Sequence, residues 1–212
     1  MQATRIIAIR HGETAWNATA RLQGHRDIPL NELGLWQAAQ AAQALVDEPV
    51  AHIYSSDLQR AYQTAQAVAQ VTGAPLTAES GLRERCFGVY EGRTFQELEV
   101  EQPEVALRWR QRDPEFTPEG GESLIMLRDR VSSTVDRLAA LHPGELIVLT
   151  AHGGVLDVLY RLATRQEVQA PRTWELGNAA INRLLWTPQG LGLVGWADSR
   201  HLENTARDEI FS

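Results

Sequence analysis

Arg5-Ile6-Ile7-Ala8-Ile9-Arg10-His11-Gly12-Glu13-Thr14-Ala15-Trp16-Asn17 passes from an apolar run into a polar one within a dozen residues. Its first five residues are the short, apolar, β-branched type that forms a strand buried on both faces of a parallel sheet. Such a strand delivers Arg10 and His11 to its C-terminal end. Downstream, Asn31 is placed to cap a helix carrying Leu35, Ala38, Ala42 and Leu45 at helical spacing, ended before Pro49. A second strand is expected near Val50 to Tyr54. A second helix follows the Ser55-Ser56-Asp57 cap region, with Leu58, Ala61, Ala65 and Val68 on one face, and stops near Gly73-Ala74-Pro75. Leu76 to Ala78 reads as a short third strand.

Residues 94–112 are helical in pattern but polar and broken by Pro103, and Pro114, Pro118, Gly120 and Gly121 force a loop, so 94–118 reads as a short insert or lid. Ser123 then caps a long helix bearing Leu124, Leu127, Val131, Val135 and Leu138, closed by Pro143-Gly144. Strand Leu146 to Leu149 feeds Thr150-Ala151-His152-Gly153-Gly154 into a helix from Val155 to Leu162. Ile181 to Trp186 and Leu191 to Trp196, around Thr187-Pro188-Gln189-Gly190, predict a closing hairpin. This alternation predicts one three-layer α/β/α domain over residues 1–212 with a mostly parallel sheet. In such sheets ligands bind beyond the carboxyl ends of the strands, where Arg10, His11, His152 and Arg60 are expected to meet.

The composition narrows the function. The chain has 212 residues, 43% of them hydrophobic, enough for a sizeable core, and no apolar run long enough to span a bilayer. A cytoplasmic protein is expected, without membrane or nucleic-acid partners, since a formal charge of −7 opposes polynucleotide binding. The one cysteine, Cys86, excludes an internal disulfide and a cysteine metal cage. All 20 basic residues are arginine, so a Schiff-base enzyme or a P-loop NTPase, both of which need lysine, is excluded.

Two arginines and two histidines at strand ends suit an anion, because guanidinium forks match phosphate geometry and helix N-termini add N–H donors. A neutral imidazole is a competent nucleophile toward phosphorus, and Glu84, on a loop after the third strand, is a candidate to protonate the departing oxygen. His11 and His152 lack the dense ligand cluster of a metal site, so no metal or other cofactor is expected.

The octapeptide Arg10 to Asn17 resembles the signature of the histidine phosphatase, or phosphoglycerate mutase-like, superfamily. The likeness continues through Gln23-Gly24, Pro29-Leu30, Gly34, Ser55 to Ala61, Leu82-Arg83-Glu84, Pro118 to Ser123 and Ala151 to Gly154. The resemblance implies that His11 attacks phosphorus and becomes phosphorylated, while Arg10, Arg60 and His152 hold the phosphoryl oxygens. It implies that Glu84 serves as acid and then as base, and that Asn17 and the backbones of Gln23, Gly24 and Gly153 contact phosphate or substrate. Arg85, next to Glu84, is placed to touch the substrate beyond its phosphate.

The family holds hydrolases and mutases. The absence of lysine, the short insert and Pro118-Glu119-Gly120-Gly121-Glu122-Ser123 favour a hydrolase of small phosphorylated metabolites, with a phosphoglycerate mutase as the alternative and a non-catalytic phosphate-binding module as a second. His52, His142 and His201 are assigned structural or solvated places, His25 and the pair Arg108 and Arg112 solvated ones. Trp174, Trp186 and Trp196 fit either core or interface, which leaves homo-oligomerisation open.

Overall fold

The structure, a computed structural model, describes residues 2–203. Six strands form one sheet in the order β3-β2-β4-β1-β5-β6, comprising β1 (Thr4–Arg10), β2 (Val50–Ser55), β3 (Leu76–Ala78), β4 (Leu146–Ala151), β5 (Ile181–Thr187) and β6 (Gly190–Asp198). The first four run parallel, whereas β5 pairs antiparallel with β1 and β6 with β5 as the expected hairpin. Alternation along β1 divides the core between two faces. Ile6 and Ala8 join the cluster under α6 (Leu124–Ala139) and α7 (Gly153–Thr164). Ile7 and Ile9 join the one under α2 (Glu32–Gln43) and α3 (Gln59–Thr72). The result is the three-layer α/β/α arrangement that the strand and helix alternation predicts.

Local signals account for most boundaries. Asn31 caps α2 through Gly34 N, Ser123 caps α6 through Met126 N, and Gly73 ends α3 in the left-handed conformation. A one-turn helix, α1 (Ala15–Ala18), starts at a capping box between Thr14 and Asn17. The insert forms α4 (Phe95–Glu101) and α5 (Pro103–Arg110), with Pro103 at the first turn of the second.

Two expectations fail. Leu35 is 52% exposed, and α2 instead turns Gly34, Ala38, Ala41 and Ala42 inward, with Leu45 buried just beyond its end. The cause is backbone contact, since a Cβ on Gly12 would lie 2.3 Å from Gly34 O and one on Gly34 would lie 2.0 Å from Glu13 O. That approach fixes the rotation of the helix and leaves Leu35 one position off the buried face. The Ser55-Ser56-Asp57 segment likewise does not cap α3. Its N-cap Leu58 offers no side-chain bond, and Gln59 N donates to Asp27 Oδ1 at 2.6 Å from a distant loop.

Ile147 is fully buried in the central β4. Ile147→Ala is expected to lower unfolding free energy in urea by about 2–5 kcal/mol, and Leu35→Ala by no more than about 0.5 kcal/mol. Equal losses would contradict the assigned rotation of α2.

Candidate active site

Arg10 ends β1 opposite Ala151 of β4, and Thr150 of β4 sits opposite Ser55 of β2. The ladder extends one residue past the strands, because His11 N donates to Ala151 O and Ser56 N to Thr150 O, both at 3.0 Å. His11, His152 and Ser56 are therefore placed by backbone bonds at neighbouring strand ends. Arg60, the second residue of α3, comes in beside them.

Arg10, His11 and Arg60 line one end of a cleft of about 780 Å³, whose wall also includes Glu84 and Gly153, while His152 and Ser56 are buried and not part of that wall. His11 is 2% exposed and its ring centroid lies 5.2 Å from that of His152, which is fully buried behind it. His11 Nδ1 donates to Gly12 O at 2.7 Å, which leaves Nε2 as the ring's free lone pair. Burial, and then the charges of Arg10 and Arg60, push the His11 pKa well below the ordinary histidine value. His152 is pushed down by burial, then by Arg60 and His11. Both rings are neutral near pH 7.

The cations are held by carbonyl oxygens. Arg60 Nη1 and Nη2 donate to Arg26 O and Gly24 O at 2.7 and 2.8 Å, and Arg10 Nη1 donates to Leu176 O. Burial lowers the Arg60 pKa to about 10, which leaves it charged at neutral pH. Arg10 Nε, Arg60 Nε and His152 Nδ1 are buried without any hydrogen-bond partner. Three unmet nitrogens near one neutral imidazole fit an oxyanion.

Glu84 reaches the cleft from its loop and accepts from Gly154 N at 3.0 and 3.1 Å and from Arg85 N at 2.7 Å. A Cβ at position 154 would meet Glu84 Oε1 at 2.2 Å, so the glycine is what lets the carboxylate sit on the helix N-terminus. Arg85 is buried, donates to Glu122 O and Phe116 O, and packs over the Trp109 ring. Asn17 and Gln23 line the cleft too, both tied to Thr14. Gly24 is not on the cleft wall, and its carbonyl faces Arg60.

Several groups that matter here escape a sequence reading. Ser56 bonds His152 Nε2 at 2.8 Å, and Thr64 accepts from Gly12 N. His25, expected at the surface, is half-buried and bonds Glu84 O at 2.9 Å through Nε2. Arg112 lies past the end of α5, with φ +52°, and turns into the cleft wall to bond Asp157. Arg108, in contrast, stays exposed and pairs with Asp113. Arg130 donates to Gly81 O and Arg83 O at 2.9 Å, to Glu84 O at 3.2 Å, and to both oxygens of Glu122. It clamps the loop that carries Glu84. The only signal for this was Glu122 within the Pro118 to Ser123 motif. Among the described residues no three His, Cys, Asp or Glu side chains form a metal-binding group.

The fold and this strand-end pair of histidines between arginines define a histidine phosphatase. The model for the histidine phosphatase superfamily, branch 1, matches residues 6–199, and the chain belongs to that family. Among its relatives, phosphoglycerate mutase-like protein 4 of Arabidopsis thaliana is 39% identical over 94% of this chain and 87% of its own. A metal-independent phosphoserine phosphatase of the same plant is 38% identical over 96% and 85%. A mycobacterial glucosyl-3-phosphoglycerate phosphatase, solved with VO3, superposes with a TM-score of 0.83 at 33% identity, covering 92% of this chain and 99% of that one.

The depressed histidines carry a pH consequence. Unfolded histidine titrates near about 6.5, so below that pH the unfolded chain binds protons that native His11 and His152 refuse. Their stabilisation is present above about pH 6.5 and is lost as pH falls toward the folded values, each with a slope of at most about 1.4 kcal/mol per pH unit. Urea stability is expected to drop between about pH 7.5 and 5.5, and less steeply in His11→Gln. An unchanged slope in the variant would show that His11 does not titrate abnormally.

Proposed function

We propose that this chain is a metal-independent phosphomonoester hydrolase that carries the phosphoryl group on His11. The observation that carries this reading is the neutral His11, its Nδ1 committed to Gly12 O and its Nε2 left free at a cleft end lined by Arg10 and Arg60 and backed by His152, each with a buried unpartnered nitrogen. The Nε2 lone pair attacks phosphorus, and the ester P–O bond breaks as the N–P bond forms. Arg10 and Arg60 bind the equatorial oxygens. Ser56 Oγ accepts from Leu58 N and donates to His152 Nε2, so His152 keeps its proton on Nδ1, where it serves a phosphoryl oxygen. Glu84 gives its proton to the leaving oxygen. In the second half-reaction Glu84 takes a proton from water, the water oxygen bonds phosphorus, and the N–P bond breaks to release inorganic phosphate.

Asn17, Gln23 and the Gly153 N–H supply further contacts to phosphate or substrate, and Arg85 flanks the leaving group. Gly24 acts by holding Arg60. We read the chain as one domain in which residues 94–118 form a lid, supported by Trp109 and Arg112 on the cleft wall. The substrate class is small phosphorylated metabolites, and Cys86 as a free thiol fits a cytoplasmic setting. The tryptophans that left oligomerisation open are engaged within the chain, where Trp186 and Trp196 donate to Asp136 and to Glu175 O and Trp174 is buried. The mutase reading is favoured by the name of the 39% identical plant relative.

Inorganic phosphate release is the test, from a panel including phosphoserine and 3-phosphoglycerate with chelator present. Wild type is expected to turn over and His11→Ala to lose a factor on the order of 10⁴ or more. Isomer exchange of phosphoglycerate without release would instead establish the mutase. Arg130→Met is expected to lower kcat by about 10²-fold with KM little changed, because it frees the loop holding Glu84. A rise in KM alone would contradict the clamp.

A further inference from the structure

Past the phosphoryl end, the cleft follows α7. Asp157 lies four residues beyond Gly153 on that helix, about 6 Å along its axis. Arg161, one turn further, reaches back so that its Nε donates to Asp157 Oδ2 at 3.0 Å. The same oxygen accepts from Arg112 Nη2 at 2.7 Å, while Arg112 Nε is bound to Val168 O. Carboxylate and guanidinium thus meet about one helical turn from the phosphoryl site. Both line the cleft together with Trp174.

Three atoms of this group are buried and unpartnered, Asp157 Oδ1, Arg161 Nη2 and Trp174 Nε1. Their residues are 7%, 2% and 9% exposed. Buried polar atoms without partners are rare because the lost hydration is not repaid, so a trio on the wall of a cleft marks a place where something else completes the bonds. The trio comprises one acceptor and two donors. An apolar group satisfies none of them, and a carboxylate would set its charge against Asp157 Oδ1. A hydroxyl gives its proton to Asp157 and accepts from Arg161 or Trp174, and vicinal hydroxyls use all three.

We infer that Asp157, Arg161 and Trp174 form a hydroxyl-reading subsite, and that the substrates are phosphomonoesters of polyhydroxylated alcohols such as sugars. This rests on the hydrolase reading for the chemistry at the other end of the cleft. Arg112 couples the subsite to the lid, since it holds Asp157 from the end of the insert.

The experiment compares glucose 6-phosphate, rich in hydroxyls, with phenyl phosphate, which has none, as the ratio of their kcat/KM values in wild type, Asp157→Asn and Trp174→Phe. In Asp157→Asn the amide oxygen faces the two arginines and its NH2 replaces the acceptor, while Trp174→Phe deletes one N–H. The ratio is expected to favour glucose 6-phosphate in wild type and to fall at least about tenfold in each variant. An unchanged ratio, or equal loss on both esters, overturns the subsite and leaves the three atoms to a trapped water. Release of phosphate from neither ester by wild type counts against the hydrolase alone. Calorimetric titration with the same two esters then decides the subsite. Tighter binding of glucose 6-phosphate that weakens about tenfold in Asp157→Asn upholds it, and equal affinities overturn it.

Discussion

The backbone ladder linking β1 to β4 and β4 to β2 is the constraint on which the site depends. It sets Arg10 opposite Ala151 and Thr150 opposite Ser55, and one further bond on each side fixes His11 and Ser56. A slip of one residue along either pair would turn these side chains toward the opposite face of the sheet. The apolar residues behind them hold that register, because Ile6 and Ala8 fill one core while Ile7 and Ile9 fill the other. Packing on two faces thereby controls where His11 and its neighbours stand.

Burial explains the charge states of those groups. Two guanidinium ions and two imidazoles are packed together at the strand ends, largely out of water, and the energetic answer is asymmetric. The imidazoles give up their charge, as the depressed His11 and His152 pKa values express. The guanidiniums cannot, so part of each is bound by carbonyl oxygens while Arg10 Nε and Arg60 Nε are left without a partner. The same logic recurs one turn along α7, where Asp157 is shared by two arginines yet keeps one oxygen free.

The sequence made the helix caps, the strand runs and the family motifs legible, because each depends on residues a few positions apart. Asn31, Ser123 and Gly73 each act within one turn of their own helix. What escaped depends on contacts across long separations. Spacing alone puts Leu35 on the buried face with Ala38, Ala42 and Leu45, yet the close approach of Gly12 and Gly34 centres that face on Gly34, Ala38 and Ala41 and leaves Leu35 outside it. The cap of α3 comes from Asp27, and the clamp on Glu84 comes from Arg130, some 46 residues away.

By itself the sequence determined the α/β alternation, the family, and the identity of the groups at the strand ends, since hydrophobic period and short motifs are local properties. Only the tertiary structure decided the protonation of His11 and His152, because desolvation is a property of everything packed around a ring rather than of its neighbours in the chain. It also decided that His25 and Arg112, both read as solvated, turn inward to hold Glu84 and Asp157. The direction of a loop side chain is set by which distant carbonyl or carboxylate it can reach. That choice exists only once the sheet has brought those partners together.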